Sequence, residues 1–274
     1  MSSPQLAPHS GFVSLVGAGP GDPELLTVKG LRRLQHADVV AYDRLANPLL
    51  LAECRADAEL VFVGKHGEGL HLSVPQDKIN ALLIEKAREG KQVVRLKGGD
   101  PFIFGRGGEE ALELRQAGVP FEIVPGISSA IAAPAYAGIP VTHRHISASV
   151  AIVAGHEDPS KGPSSHDWQA LSGLDTLVIL MGMGRLEAIT ETLLHCGKRA
   201  DTPAAVVRWG TTTEQETVTG TLTTIAAVVR HAGLKAPATL IIGEVVRLRD
   251  DLRWFDVETL IPESAALQIA QEAV

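Results

Sequence analysis

Residues 93–110 read VVRLKGGDPFIFGRGGEE, and the order of residue types in this stretch decides how the chain is built. Val93, Val94 and Leu96 have the character of a buried strand, and after Lys97 the apolar run gives way to a charged, glycine-rich turn. Gly98 and Gly99 lack the side chains that would hold a ligand off the main chain, and Asp100 sets a carboxylate beside that gap. A second glycine turn carries Arg106 and Glu109 into what reads as a helix start. A turn that only reverses the chain rarely needs so many charges so close together. The segment therefore reads as a strand–turn–helix unit that bears a site.

The same alternation extends outward in both directions. Phe12–Val16, Asp38–Tyr42, Leu60–Val63 and Phe121–Val124 are further strand candidates, and Leu25, Val28, Leu31 and Leu34 recur at helical spacing, as do Ile79, Leu82, Leu83 and Ala87. The pattern restarts after Thr142-His143-Arg144-His145. Strands are predicted at Ser149–Val153, Thr176–Leu180, Ala204–Arg208 and Thr239–Ile242, helices at Arg185–His195 and Leu222–His231, and an edge strand or hairpin at Thr213–Thr221. Strand–helix alternation predicts mainly parallel sheets covered on both faces. We read two α/β domains, 11–144 and 145–262, between loose tails at 1–10 and 263–274, with ligands gathering at the carboxyl ends of strands and in a cleft shared by the domains.

Composition narrows the function classes. No apolar run approaches the length of a membrane span, and the first residues lack the layout of a signal peptide. Cys54 and Cys196 stand far apart in apolar helical contexts, as expected of thiols in a reducing, cytoplasmic compartment. The net charge of −7 is uneven: 15 Lys and Arg face 16 Asp and Glu through His145, and 10 face 16 afterwards. Neither half has the basic excess of a nucleic-acid binder. Cations at strand ends and turns (Arg44, Lys65, Lys97, Arg106, Arg144) suit a compact anionic small molecule.

The first strand runs into Gly17-Ala18-Gly19-Pro20-Gly21-Asp22-Pro23. The third glycine of a dinucleotide fingerprint would fall on Asp22, and Pro20 has no N–H for a pyrophosphate, so a nicotinamide oxidoreductase is excluded. This loop reads as a close wall for a cofactor or substrate. His143 and His145 lack a third ligand cluster, so no metal is expected; Arg144 between them could clamp a carboxylate with both guanidinium edges. Met181 follows a strand and precedes Gly182 and Gly184, where a thioether packs as core or against a ligand. Ser128 and Ser129 open an alanine-rich helix, either as caps or as donors to a ligand.

Together, VGAGPGDPELLT (16–27), ADVVAYDRL (37–45), FVGKHG (62–67), VVRLKGGDPFIFGRGGEE (93–110), FEIVPGISSAIAAPAYAGIPVTHR (121–144), ILMGM (179–183) and IIGEVVRLRDDLRWF (241–255) make the chain resemble the uroporphyrinogen-III C-methyltransferases of the tetrapyrrole methylase group from Phe12 to Phe255. The resemblance implies two α/β domains of tetrapyrrole methylase type, a homodimer, and S-adenosylmethionine held between the domains. It implies cofactor contacts at Pro20, Gly98, Gly99, Asp100, Ile103, Ser128, Ser129, Met181 and Gly210, and catalytic positions at Asp43, Lys65, Arg106, Glu109 and Arg144. Ser128-Ser129 stands where the family often has Thr-Ala, and Trp209 where many members have Asn. The implied reaction is methylation of uroporphyrinogen III at C2 and C7, through precorrin-1 to precorrin-2, with S-adenosylhomocysteine as by-product. The chain lacks the dehydrogenase/chelatase domain of fused siroheme synthases, so the reaction is expected to stop there. Siroheme, cobalamin and haem d1 all remain open as destinations. Two other readings are a methylase of a later corrinoid and a non-catalytic binder of cofactor or tetrapyrrole; the presence of Arg106, Glu109 and Arg144 argues against the second.

Overall fold

The computed structural model describes residues 11–64, 74–156 and 166–255. Lys65 and both expected tails lie outside the described residues. The chain divides into two compact units between Ser128 and Ser129.

In the first unit, β1 (Phe12–Gly17), β2 (Val39–Tyr42), β3 (Glu59–Phe62), β4 (Gln92–Lys97) and β5 (Phe121–Val124) form one parallel sheet in the order β3-β2-β4-β1-β5. Alternation along the strands sorts the core into two layers. Odd-numbered residues (Val13, Leu15, Val39, Ala41 and Val93) pack under α2 (Gln76–Arg88) and α3 (Gly107–Gln116), against Ile79, Leu83 and Leu114. Even-numbered Val16, Val40, Val94 and Leu96 face Leu34 of α1 (Val28–Gln35) and Leu50 of a 3-10 turn. Thr27 caps α1 by accepting the Gly30 N–H at 3.0 Å. Strands β1 and β4 are neighbours in register, Val13 opposite Val93 through Gly17 opposite Lys97, yet their outgoing connections lead to opposite sides. Their carboxyl ends therefore form a switch point, where open parallel sheets take ligands.

The second unit begins with α4 (Ser129–Tyr136) and contains β6 (Val150–Ala154), α5 (Trp168–Ser172), β7 (Thr176–Leu180), α6 (Leu186–His195), β8 (Pro203–Arg208), β9 (Glu216–Thr221), α7 (Ile225–Ala232) and β10 (Ala238–Ile242). Its sheet runs β6-β7-β10-β8-β9. Here the expectation of a mainly parallel sheet fails, because only β6 and β7 pair parallel while β7–β10, β10–β8 and β8–β9 are antiparallel. Residues 209–215 are too few for a parallel crossover, so β9 folds back on β8 as the edge strand of a hairpin. Helix α4 packs Ala133 and Ala137 against Ala205, Val207 and Ile241 of this sheet. The units therefore separate ahead of α4, whereas the two sheets separate between Val124 and Val150, the interval that holds the expected joint at 142–148.

Candidate active site

Three loops meet at the carboxyl ends of β4, β1 and β5. Gly19 and Gly99 exchange backbone hydrogen bonds at 3.2 and 2.7 Å, which ties the GAGPGDP loop to the KGGDP turn. A Cβ on Gly17 would lie 2.5 Å from Gly126 Cα and 2.6 Å from the Gly99 carbonyl oxygen. A Cβ on Gly126 would lie 2.3 Å from that same oxygen. Backbone thus packs directly on backbone, which only glycine permits. Gly98 has a packing reason as well: its Cβ would crowd Leu45 Cβ, so the protein's own packing demands glycine there.

Asp100 clasps this junction. Its Oδ1 accepts the N–H of Phe102 at 2.8 Å and of Ile103 at 3.2 Å, and its Oδ2 accepts the Gly126 N–H at 3.0 Å. One carboxylate closes its own turn and holds the loop that leads to Ser128. The next turn is wound tightly: Phe104 and Arg106 adopt left-handed backbone at φ 51° and 59°, and the Gly107 N–H bonds Pro101 O at 2.9 Å. Phe102, Ile103 and Phe104 are exposed.

Arg106 and Glu109 form a two-pronged ion pair at 3.0 and 2.6 Å with both side chains more than half exposed. The hydrogen bond from Arg106 holds the Glu109 carboxyl below the usual glutamate range, which opposes work as a base. Asp43, at the end of β2, is less exposed; its Oδ1 accepts the Leu45 N–H at 3.1 Å and its Oδ2 lies 3.2 Å from Arg95 Nη2. Arg95 in turn reaches Glu110 of α3 at 3.2 Å.

In the second unit, Met181 follows β7 in left-handed backbone at φ 57° with half its surface exposed. Trp209 and Thr211, after β8, also have positive φ, at 46° and 74°. Such strain in residues other than glycine concentrates at functional sites. Gly210 between them lies against α4, where its Cβ would come 2.5 Å from Ala133 Cβ. Arg144 is exposed on a turn closed by a bridge between His143 and Ser147. Among the described residues, no group of three or more His, Cys, Asp or Glu could hold a metal ion, and no helix is long and apolar enough to cross a membrane.

Residues 13–226 match the family model of Tetrapyrrole (Corrin/Porphyrin) Methylases. The chain belongs to that family. It is 53% identical over 240 residues to a uroporphyrinogen-III C-methyltransferase of Priestia megaterium, covering 86% of this chain and 98% of the relative. It is 52% identical over 255 residues to a siroheme synthase of Pseudomonas fluorescens, covering 93% of this chain and 54% of the relative, so it spans about half the length of such relatives. A solved structure of the uroporphyrin-III C-methyl transferase of Thermus thermophilus, complexed with S-adenyl homocysteine, is 42% identical, with a TM-score of 0.74 over 87% of this chain and all of the other.

Within its first unit this tetrapyrrole methylase brings several of the residues singled out in its sequence together. Asp100 and Ile103 share one turn, Gly99 joins it to the loop of Pro20, and Arg106 pairs with Glu109. Two features were missed: the three-loop glycine contact and the buried pairing of Arg95 with Glu110; Lys97, read from the sequence as a strand-end cation for an anionic small molecule, is instead buried against Glu110. The second had a signal, since Arg95 and Lys97 continue the odd-numbered face of β4 begun by apolar Val93.

Proposed function

We propose that the chain is an S-adenosylmethionine-dependent C-methyltransferase that methylates uroporphyrinogen III at C2 and C7, through precorrin-1, to give precorrin-2. The observation that carries this reading is the 53% identity running along nearly the whole Priestia megaterium enzyme. The residues fit the cofactor. In the first unit, a glycine-only junction clasped by Asp100 and the buried Ser128 two residues beyond Gly126 suit close backbone and hydroxyl contact; in the second, the exposed Met181 in left-handed backbone suits a thioether contact. We assign cofactor contacts to Pro20, Gly98, Gly99, Asp100, Ile103, Ser128, Ser129, Met181 and Gly210.

When bound, S-adenosylmethionine supplies an electrophilic methyl group to a pyrrole carbon. The chain's own residues align the partners, exclude water and remove the proton that leaves a bridging carbon afterwards. The substrate's eight carboxylates call for cations placed singly, and the exposed Arg44 and Arg144 suit that task, with Lys65 assigned to the same group. We assign the base to Asp43 rather than Glu109. Arg106 pairs with Glu109 through both oxygens, whereas Arg95 divides its guanidinium between Asp43 and Glu110. The same reading makes the enzyme a cytoplasmic homodimer, which sedimentation of the purified chain would check. The activity is tested by single turnover with uroporphyrinogen III and methyl-labelled cofactor. Two labels per tetrapyrrole are expected; no incorporation, or transfer only to a later corrinoid, would overturn the reading.

A further inference from the structure

Alternation on β4 sends Arg95 and Lys97 to the α2/α3 face, where the neighbouring residue, Val93, is core. Both are almost fully buried, and Glu110 of α3 meets them with no exposure at all. Lys97 Nζ lies 3.0 Å from both Glu110 oxygens, but only Oε1 is in hydrogen-bonding geometry, and this oxygen also accepts from Arg95 at 3.2 Å and Gln76 at 3.2 Å. Oε2 is left buried without a hydrogen bond. Core stability does not explain this arrangement, because buried ion pairs commonly do no better than apolar side chains of equal volume. It has one outlet. Arg95 Nη2 reaches the partly exposed Asp43, while Arg95 Nη1 is anchored on Leu96 O at 2.9 Å.

We propose that Glu110 and Lys97 are positioning residues which, through Arg95, set how strongly Asp43 is neutralised and where its carboxylate points. The inference rests on the proposed function, with Asp43 as the group that takes the proton. The charged groups facing this cluster are Arg95 and Lys97 from β4 and Glu110 from α3. Glu109 and Arg106 lie at the start of α3, Arg44 lies beside Asp43, and α2 contributes the neutral Gln76. Burial and the charge of Arg95 push the Lys97 ammonium below the usual lysine range, with Glu110 opposing. Lys97 is therefore held as a cation mainly by Glu110. Glu110 in turn competes with Asp43 for Arg95. Removing Glu110 hands Arg95 to Asp43 alone and makes Asp43 a weaker base. Removing Lys97 draws Arg95 towards Glu110 and makes Asp43 a stronger one.

The two changes therefore have opposite signs, which a purely structural role would not produce. The test is the pH dependence of kcat/KM for methyl transfer in Glu110→Gln, Lys97→Met and Asp43→Asn, with S-adenosylhomocysteine affinity and melting temperature measured on each. Asp43→Asn should abolish the acid limb and cut turnover by roughly 10²–10⁴-fold. Glu110→Gln should move the limb to lower pH and Lys97→Met to higher pH, each by about 0.5–1 unit, with cofactor affinity kept. Glu110→Asp, which keeps the charge, should restore the limb toward its wild-type place and serves if Glu110→Gln does not fold. Coincident limbs, shifts of the same sign, or a limb that survives in Asp43→Asn would overturn the inference while leaving the proposed function standing. A wild-type chain without methyl transfer would overturn both.

Discussion

Replacing Asp100 with Asn separates two roles that the sequence alone merges. The carboxylate accepts three backbone N–H groups: Phe102 and Ile103 on one oxygen and Gly126 on the other. An amide can keep its oxygen on only one side, so its NH₂ must face an N–H on the other. If oxygen stays with Phe102 and Ile103, whose N–H groups are near solvent, the loss falls on Gly126. There the Cα of Gly17 and the carbonyl of Gly99 crowd the backbone and leave little room for water. Losing a charge-assisted hydrogen bond and leaving a half-buried donor unpaired costs about 1.5–3 kcal/mol. For a unit of this size that is a fall in melting temperature of roughly 5–10 °C. The assay is thermal unfolding without ligand, together with calorimetric titration of S-adenosylhomocysteine. We expect the melting temperature to fall and the cofactor affinity to weaken with it, because the same clasp holds the loop to Ser128. An unchanged melting temperature with cofactor binding lost would refute the reasoning and make Asp100 a ligand partner rather than a clasp.

Arg144→Lys should raise KM for the tetrapyrrole by about tenfold, since a guanidinium fork becomes a point charge, while calorimetric cofactor affinity is kept; loss of cofactor affinity instead would move Arg144 to the other pocket. Glu109→Gln should leave turnover within about threefold, because Arg106 already occupies both oxygens, and a drop of roughly 10²-fold or more would assign the base to Glu109 instead of Asp43. A carboxyl whose folded value is depressed contributes stability above its unfolded value and loses it as pH falls through the folded one. The Arg106–Glu109 pair should therefore contribute at neutral pH, by less than ~0.5 kcal/mol given its exposure, and lose its contribution on acidification, as melting curves of wild type and Glu109→Gln at pH 3.5 and 7 would show. Gly17→Ala should unfold or severely destabilise the first unit, while Gly108→Ala, whose Cβ would meet nothing within 4 Å, should stabilise it by about 0.4–1 kcal/mol. Equal melting temperatures for the two would contradict the backbone packing described for the loops.

The strands and helices were legible because each is announced locally. Val93, Val94 and Leu96 read as a strand from their own run, and Ile79, Leu83 and Ala87 read as a helix face from their own spacing. The edge strand β9 was legible for the same reason, and the motif residues were enough to place the chain in its family. Sheet order is not a local property. Whether β7 lies beside β8 or beside β10 depends on connections tens of residues long, so the antiparallel second sheet was invisible to a pattern of alternating elements. The allegiance of α4 was hidden likewise, because its small residues fit any apolar face and only packing against Ala205, Val207 and Ile241 decided it. The glycines were visible as turn formers, but their reason was not: Gly17, Gly99 and Gly126 are fixed by one another across three loops. The same holds for Arg95 and Glu110. Fifteen positions apart, they read as a strand cation and a helix-start acid, and only the layering of α3 over β4 turns them into one buried pair that reaches Asp43.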